Sequence, residues 1–156
     1  LRQQPAGILL SRQSLPVFDR TICASADGVD KGAYVLVAAP KKADVVLIAT
    51  GSEVSLAVKS AEDLNAQGIS TQVVSAPCLE WFNQESASYR ESVIPSSALR
   101  VSIEAGIAQG WREYVGDSGV IISLDHFGAS ASGNKLFTEF GFTPDAIVST
   151  VKKALG

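Results

Sequence analysis

The chemistry this sequence could support begins with Arg12, which follows the apolar run Gly7-Ile8-Leu9-Leu10 inside the polar cluster Ser11-Arg12-Gln13. A planar guanidinium can grip a phosphate with two parallel N–H donors. From residue type alone, a surface ion pair is the commoner fate of such an arginine. His126 is the only histidine. It could act as a general acid or base, or equally be a structural residue at a strand end, since no partner for it is evident. Glu104 stands where a strand passes into a helix, so capping that helix or pairing with an arginine comes ahead of proton transfer. Cys78 follows Pro77, with no cation or base in the sequence to activate a thiolate, and reads as an inert buried thiol.

Three turns add backbone chemistry. Thr50-Gly51-Ser52 opens a helix whose free N–H groups could hold an anion. Thr50 and Glu53 also have the spacing of a capping box, which is the simpler reading. The glycine spacing of a dinucleotide fingerprint is missing. The loop Gly128-Ala129-Ser130-Ala131-Ser132-Gly133 could wrap a phosphate, but it lacks the Gly-Lys-Ser/Thr ending of a phosphate-binding loop. It reads instead as a small-residue lead into a helix. Gly116-Asp117-Ser118-Gly119 mimics the nucleophile loop of chymotrypsin-like proteases. Those are all-β proteins whose histidine precedes the serine, whereas His126 follows it here, so a turn is expected.

These residues must be positioned by alternating strands and helices. Strands are predicted at residues 7–10, 34–37, 44–49, 71–75, 100–103 and 120–124. The unbroken run Asp44-Val45-Val46-Leu47-Ile48-Ala49 suits a strand covered on both faces. Val54, Ala57, Val58, Ala61 and Leu64 repeat at helical spacing, and Gly68 ends that helix. One or two short helices are expected between Leu79 and Val93, one around Ile107 to Val115, and one over Leu136 to Phe140. A last helix starts at Thr143-Pro144, a cap followed by proline at the first helical position, and runs through Leu155. This alternation argues for an α/β fold with a parallel sheet and helices on both faces. Sites in such sheets gather at the carboxyl ends of strands. Those ends are Thr50-Gly51-Ser52-Glu53, Ser75-Ala76-Pro77-Cys78, Glu104-Ala105-Gly106 and Asp125-His126-Phe127-Gly128.

The totals narrow the function classes. A chain of 156 residues, 46% hydrophobic and 19% charged, has the composition of one globular domain with a real core. The net charge of −3 comes without a basic stripe, so no nucleic-acid partner is expected. No apolar run approaches a membrane span. Cys23 and Cys78 fit no metal-ligand spacing and read as reduced thiols of a cytoplasmic protein. The chain opens at Leu1 and contains no methionine, which suggests a piece of something longer.

Several strings, in order, resemble one family. Leu10-Ser11-Arg12-Gln13-Ser14-Leu15-Pro16 resembles the transketolase "LSRQ-x-LP" segment. Lys31-Gly32-Ala33-Tyr34-Val35-Leu36 resembles "KGAYVL", and Ile48-Ala49-Thr50-Gly51-Ser52-Glu53-Val54 resembles "IATGSEV". Val74-Ser75-Ala76-Pro77-Cys78, Tyr89-Arg90-Glu91-Ser92-Val93, Glu104-Ala105-Gly106, Phe127-Gly128-Ala129-Ser130-Ala131 and Phe140-Gly141-Phe142-Thr143 continue the match to the C-terminus. One departure is Ser132, where the family usually has proline.

The resemblance implies a three-layer α/β/α sandwich, mostly parallel, with one antiparallel edge strand for which Tyr34–Val37 is the candidate. It implies that residues 1–18 are the tail of a preceding pyrimidine-binding domain, 19–32 a linker and 33–156 the C-terminal domain. It implies a homodimer that moves a two-carbon ketol unit from a ketose phosphate to an aldose phosphate in the pentose phosphate pathway, using thiamine diphosphate with Mg²⁺ (or Ca²⁺). The family's cofactor motif and its catalytic histidines have no counterpart here. The chain alone is therefore expected to bind no cofactor or metal and to be inactive. One role carries over: Arg12 on the substrate phosphate. The competing reading is a small α/β module that binds an effector or nucleotide at the strand ends.

Overall fold

The computed structural model describes Pro5 and residues 7–156. The five-stranded sheet has the order β1-β3-β2-β4-β5. Its strands are β1 (Tyr34–Val37), β2 (Val45–Ala49), β3 (Thr71–Ser75), β4 (Leu99–Ile103) and β5 (Val120–Ile122). β2, β3, β4 and β5 run parallel, and β1 lies antiparallel on the outer edge of β3 with Tyr34 opposite Ser75. Tyr34–Val37 is thus the antiparallel edge that was expected.

β2 is the sheet's centre, and all five of its residues are buried. The two-residue period of a strand explains how one apolar run serves two faces. Val45, Leu47 and Ala49 point into a core closed by α1 (Glu53–Ala66) and α6 (Pro144–Leu155). Val46 and Ile48 point to the opposite core, beneath α2 (Leu79–Phe82), α3 (Ala87–Val93) and α4 (Arg112–Val115). The result is a three-layer α/β/α sandwich.

Helix ends follow local chemistry. Gly68 takes φ +84° one residue past the end cap of α1. Thr143 accepts the Ala146 N–H with its side chain, and Pro144 occupies the first turn of α6. The 3-10 helix Ala26–Lys31 ends on Gly32, whose φ of +76° lets its backbone lie against Cys78 and Phe82.

Three expectations are corrected. Residues 7–10 form no strand: Ile8, Leu9 and Leu10 are 81%, 97% and 84% exposed. A strand needs a neighbour for its backbone donors and acceptors, and none among the described residues pairs with it. The helix expected from Ile107 shrinks to Arg112–Val115 because Gly110 adopts φ +91° just before it. The helix expected from Leu136 starts earlier, at α5 (Gly133–Glu139), with Ser132 as its N-cap residue.

Candidate functional site at the carboxyl edge of the sheet

The strand order places the switch point between β2 and β4. The chain leaves β2 for β3 on one side, then returns through α2 and α3 to β4 on the other. Connections that diverge in this way open a crevice outside the carboxyl ends. The segments 50–53 and 104–106 meet there.

Glu53 begins α1 and is only 5% exposed. Its Oε1 accepts the Ala105 N–H at 3.0 Å, and its Oε2 accepts the Ser52 hydroxyl at 2.9 Å. It therefore ties the end of β4 to the start of α1. The expected Thr50–Glu53 capping box does not form: the N-cap is Ser52, without a side-chain cap bond. A carboxylate at this helix start satisfies the helix dipole itself. It also sits where an anionic ligand would have to approach, which speaks against a nucleotide phosphate at Gly51-Ser52.

Among the described residues, Glu104 neither caps a helix nor pairs with an arginine, contrary to expectation. One of its carboxyl oxygens, Oε2, is buried with no hydrogen-bond partner among the described residues. Burial, and secondarily the negative charge of Glu53, push its pKa up from 4.5 to about 7. Near neutral pH the crevice therefore holds a carboxyl group that exchanges its proton readily.

Arg12 lies beside a different stretch of the same edge. With Gln13 it lines an open cavity of about 660 Å³ whose opposite wall is the loop Gly128–Gly133 together with Leu136. The Gln13 side chain passes 3.6 Å from where a Cβ on Gly133 would sit, so the small residues of the loop leave room for that approach. Glu104, His126 and Cys78 do not line this cavity. His126 Nδ1 lies 2.8 Å from the Phe127 carbonyl, and its ring meets Phe140 edge-on at 4.9 Å. It is exposed, and these are contacts within its own loop and with the end of α5. Cys78 is half-buried, with its thiol 3.7 Å from a Glu80 carboxylate oxygen, not beside a cation. Residues 116–119 are the expected turn. Gly119 N–H donates to the Gly116 carbonyl, and Arg112 clasps the turn through the Gly116 and Gly119 carbonyls.

Among the described residues, no group of three or more His, Cys, Asp or Glu converges as a metal site. Among those residues, no helix is long and apolar enough to cross a membrane. A second cavity, of about 230 Å³, lies on the opposite helical layer between α3, α4 and β4. The sequence reading singled out none of its residues as candidates. They come from separate elements and share no local pattern.

Residues 32–143 match the family described as Transketolase-like TK C-terminal domain. The chain is 47% identical over 156 residues to the transketolase of Mycobacterium leprae, covering 97% of this chain and 22% of that protein. It is 46% identical to the transketolase of Halalkalibacterium halodurans, covering 99% of this chain and 23% of that one. Among solved structures it is similar to a Pichia stipitis transketolase in complex with sedoheptulose-7-phosphate. That similarity has a TM-score of 0.82 and 37% identity, covering 92% of this chain and 20% of that one. The chain thus spans between a fifth and a quarter of the length of these curated relatives. With the sheet order, the antiparallel edge and the family match in agreement, the chain belongs to the transketolase family and corresponds to its C-terminal domain.

Proposed function

We propose that the complete protein carrying this chain is a transketolase that moves a two-carbon ketol unit from a ketose phosphate to an aldose phosphate. In this reading it is a cytoplasmic homodimer of the pentose phosphate pathway. The observation that carries the proposal is the alignment of nearly the whole chain with transketolases. Thiamine diphosphate with Mg²⁺ (or Ca²⁺) supplies the carbanion in that chemistry. The described residues do not fit the group, since they bring no ligand set together for its metal. In this reading the cofactor is held by other parts of the protein, and the chain alone is inactive. Calorimetric titration of thiamine diphosphate and Mg²⁺ into the 156-residue chain should give no binding heat; saturable binding would refute that assignment.

Within this reading, residues 1–18 are the tail of the pyrimidine-binding domain, 19–32 the linker and 33–156 the C-terminal domain. Residues 1–4 and 6 of that tail lie outside the described residues. The almost fully exposed Leu9 and Val17 support the division. Apolar surface of this kind is normally covered by another part of a protein.

Arg12 binds the substrate phosphate. Its guanidinium anchors the end of the sugar remote from the reacting carbons, and the small-residue loop opposite admits the phosphate closely. Binding energy collected there is available to orient the reacting end. In the complete enzyme, Arg12→Ala should lower kcat/KM for a phosphorylated ketose by roughly 10- to 150-fold, the equivalent of about 1.5–3 kcal/mol for hydrogen bonds to a charged group. An unphosphorylated ketose should be nearly unaffected. Equal losses for both substrates would remove Arg12 from the phosphate site.

A further inference from the structure

The cavity that Arg12 shares with the loop Gly128–Gly133 has one charged lining residue, Arg12 itself, and no carboxylate lines it among the described residues. Arg12 forms no ion pair among those residues either. The surface ion pair that is the commoner fate of such an arginine is not made there, and the guanidinium is left open to a ligand. A phosphate monoester presents three terminal oxygens. A guanidinium meeting it side-on satisfies two of them. The third needs a donor from another direction, and the wall facing Arg12 carries two hydroxyls, those of Ser130 and Ser132.

Ser132 is the better placed of the two. The N-terminal segment touches the loop at Gln13 and Gly133, where Gln13 Nε2 lies 3.6 Å from the place a Gly133 Cβ would take. Arg12 and Ser132 each stand one residue from that contact, on facing walls of the cavity. Consecutive Cα atoms are about 3.8 Å apart, so both side chains start close to the same point. Ser130 is further along the loop. The Ser132 hydroxyl is also not spent on the helix that follows it. A serine just before a helix ordinarily accepts an N–H of the first turn, and here that bond does not form. The Ser132 carbonyl accepts the Leu136 N–H at 3.0 Å, which fixes the residue to α5.

We propose that the Ser132 hydroxyl donates to the substrate phosphate beside Arg12, and so raises the preference for phosphorylated over unphosphorylated sugars; this rests on Arg12 holding that phosphate. Ser132 stands where the family usually has proline, which offers neither a hydroxyl nor an N–H. The contact therefore sets this chain apart from relatives with proline at that position, and makes residue 132 a determinant of specificity.

The test assays the complete protein with a ketose phosphate and with the same ketose unphosphorylated, and reads the ratio of the two kcat/KM values. Ser132→Ala should lower that ratio roughly three- to tenfold, as for one hydrogen bond in a cavity open to water. Ser132→Thr, which restores the hydroxyl, should keep the parent ratio. Ser132→Pro should match the alanine variant. The Ser132 φ of −65° already suits a proline ring, so this variant removes the hydroxyl without opposing the backbone, and thermal melting of each variant checks that the fold is kept. An unchanged ratio in Ser132→Ala, while Arg12→Ala lowers it, would overturn this assignment and leave that of Arg12 standing. Equal losses on both sugars in Ser132→Ala, or no rescue by threonine, would overturn it as well. An unchanged ratio in Arg12→Ala would remove both.

Discussion

Replacing Glu104 by glutamine should stabilise the chain at alkaline pH and leave it unchanged in acid. The carboxyl group carries a pKa pushed from 4.5 up to about 7 by burial and by Glu53. A raised carboxyl pKa means that the folded state keeps a proton the unfolded state has already released. Below pH 4.5 both states are protonated and nothing is lost. Between pH 4.5 and about 7 the cost of burying the charge grows, and above about 7 it is fully present. The gap is worth at most ~3.4 kcal/mol at about 1.36 kcal/mol per pH unit. Partial solvent exposure of the side chain screens the charge and reduces this to about 1–2 kcal/mol. Glutamine keeps the shape, removes the charge and adds an N–H donor facing Glu53. At pH 8 the Glu104→Gln chain should therefore melt about 2–8 °C higher than the parent, and at pH 4.5 the two should melt together. Thermal unfolding followed by circular dichroism at both pH values measures this. A difference that does not change with pH, or a parent that is the more stable at pH 8, would refute the assignment of a desolvated carboxyl group to Glu104.

Gly32→Ala should be severely destabilising, because the added Cβ would sit 2.3 Å from the Cys78 carbonyl and 2.4 Å from the Phe82 nitrogen, both backbone, at φ +76°. A loss of at least about 3 kcal/mol in urea unfolding is expected, and a loss under about 1 kcal/mol would show that the loop relaxes freely. Cys23 is buried and burial raises its pKa, whereas Cys78 is half-buried. A disulfide reagent should therefore titrate Cys78 in the native chain and Cys23 only after denaturation; equal native rates would contradict the packing of Cys23 in the core.

Local patterns in the sequence were enough for the layered α/β architecture. The run Val45–Ala49 is apolar at every position because both sheet faces are covered, and that is legible without a structure. The end of α1 at Gly68 and the start of α6 at Thr143-Pro144 are equally legible, because caps depend on a few adjacent residues. The same local reasoning failed for residues 7–10, where an apolar run meets no partner strand, and before Gly110, where helical spacing is interrupted by a left-handed turn.

The candidate sites divide along the same line. Arg12 and the small-residue loop 128–133 were each visible as residue types, and their meeting across one cavity was not. Glu53 could be read only against its neighbour Thr50, yet its carboxylate bonds the backbone of Ala105, 52 residues away. Arg90, Arg100 and Tyr114 line the second cavity from three elements, and nothing in their spacing joins them. What the sequence alone determined is what depends on short-range sterics and on the period of apolar residues. What the tertiary structure decided is which distant polar groups lose water together and whether each finds a partner, because desolvation is a property of the assembled surroundings and not of any stretch of chain.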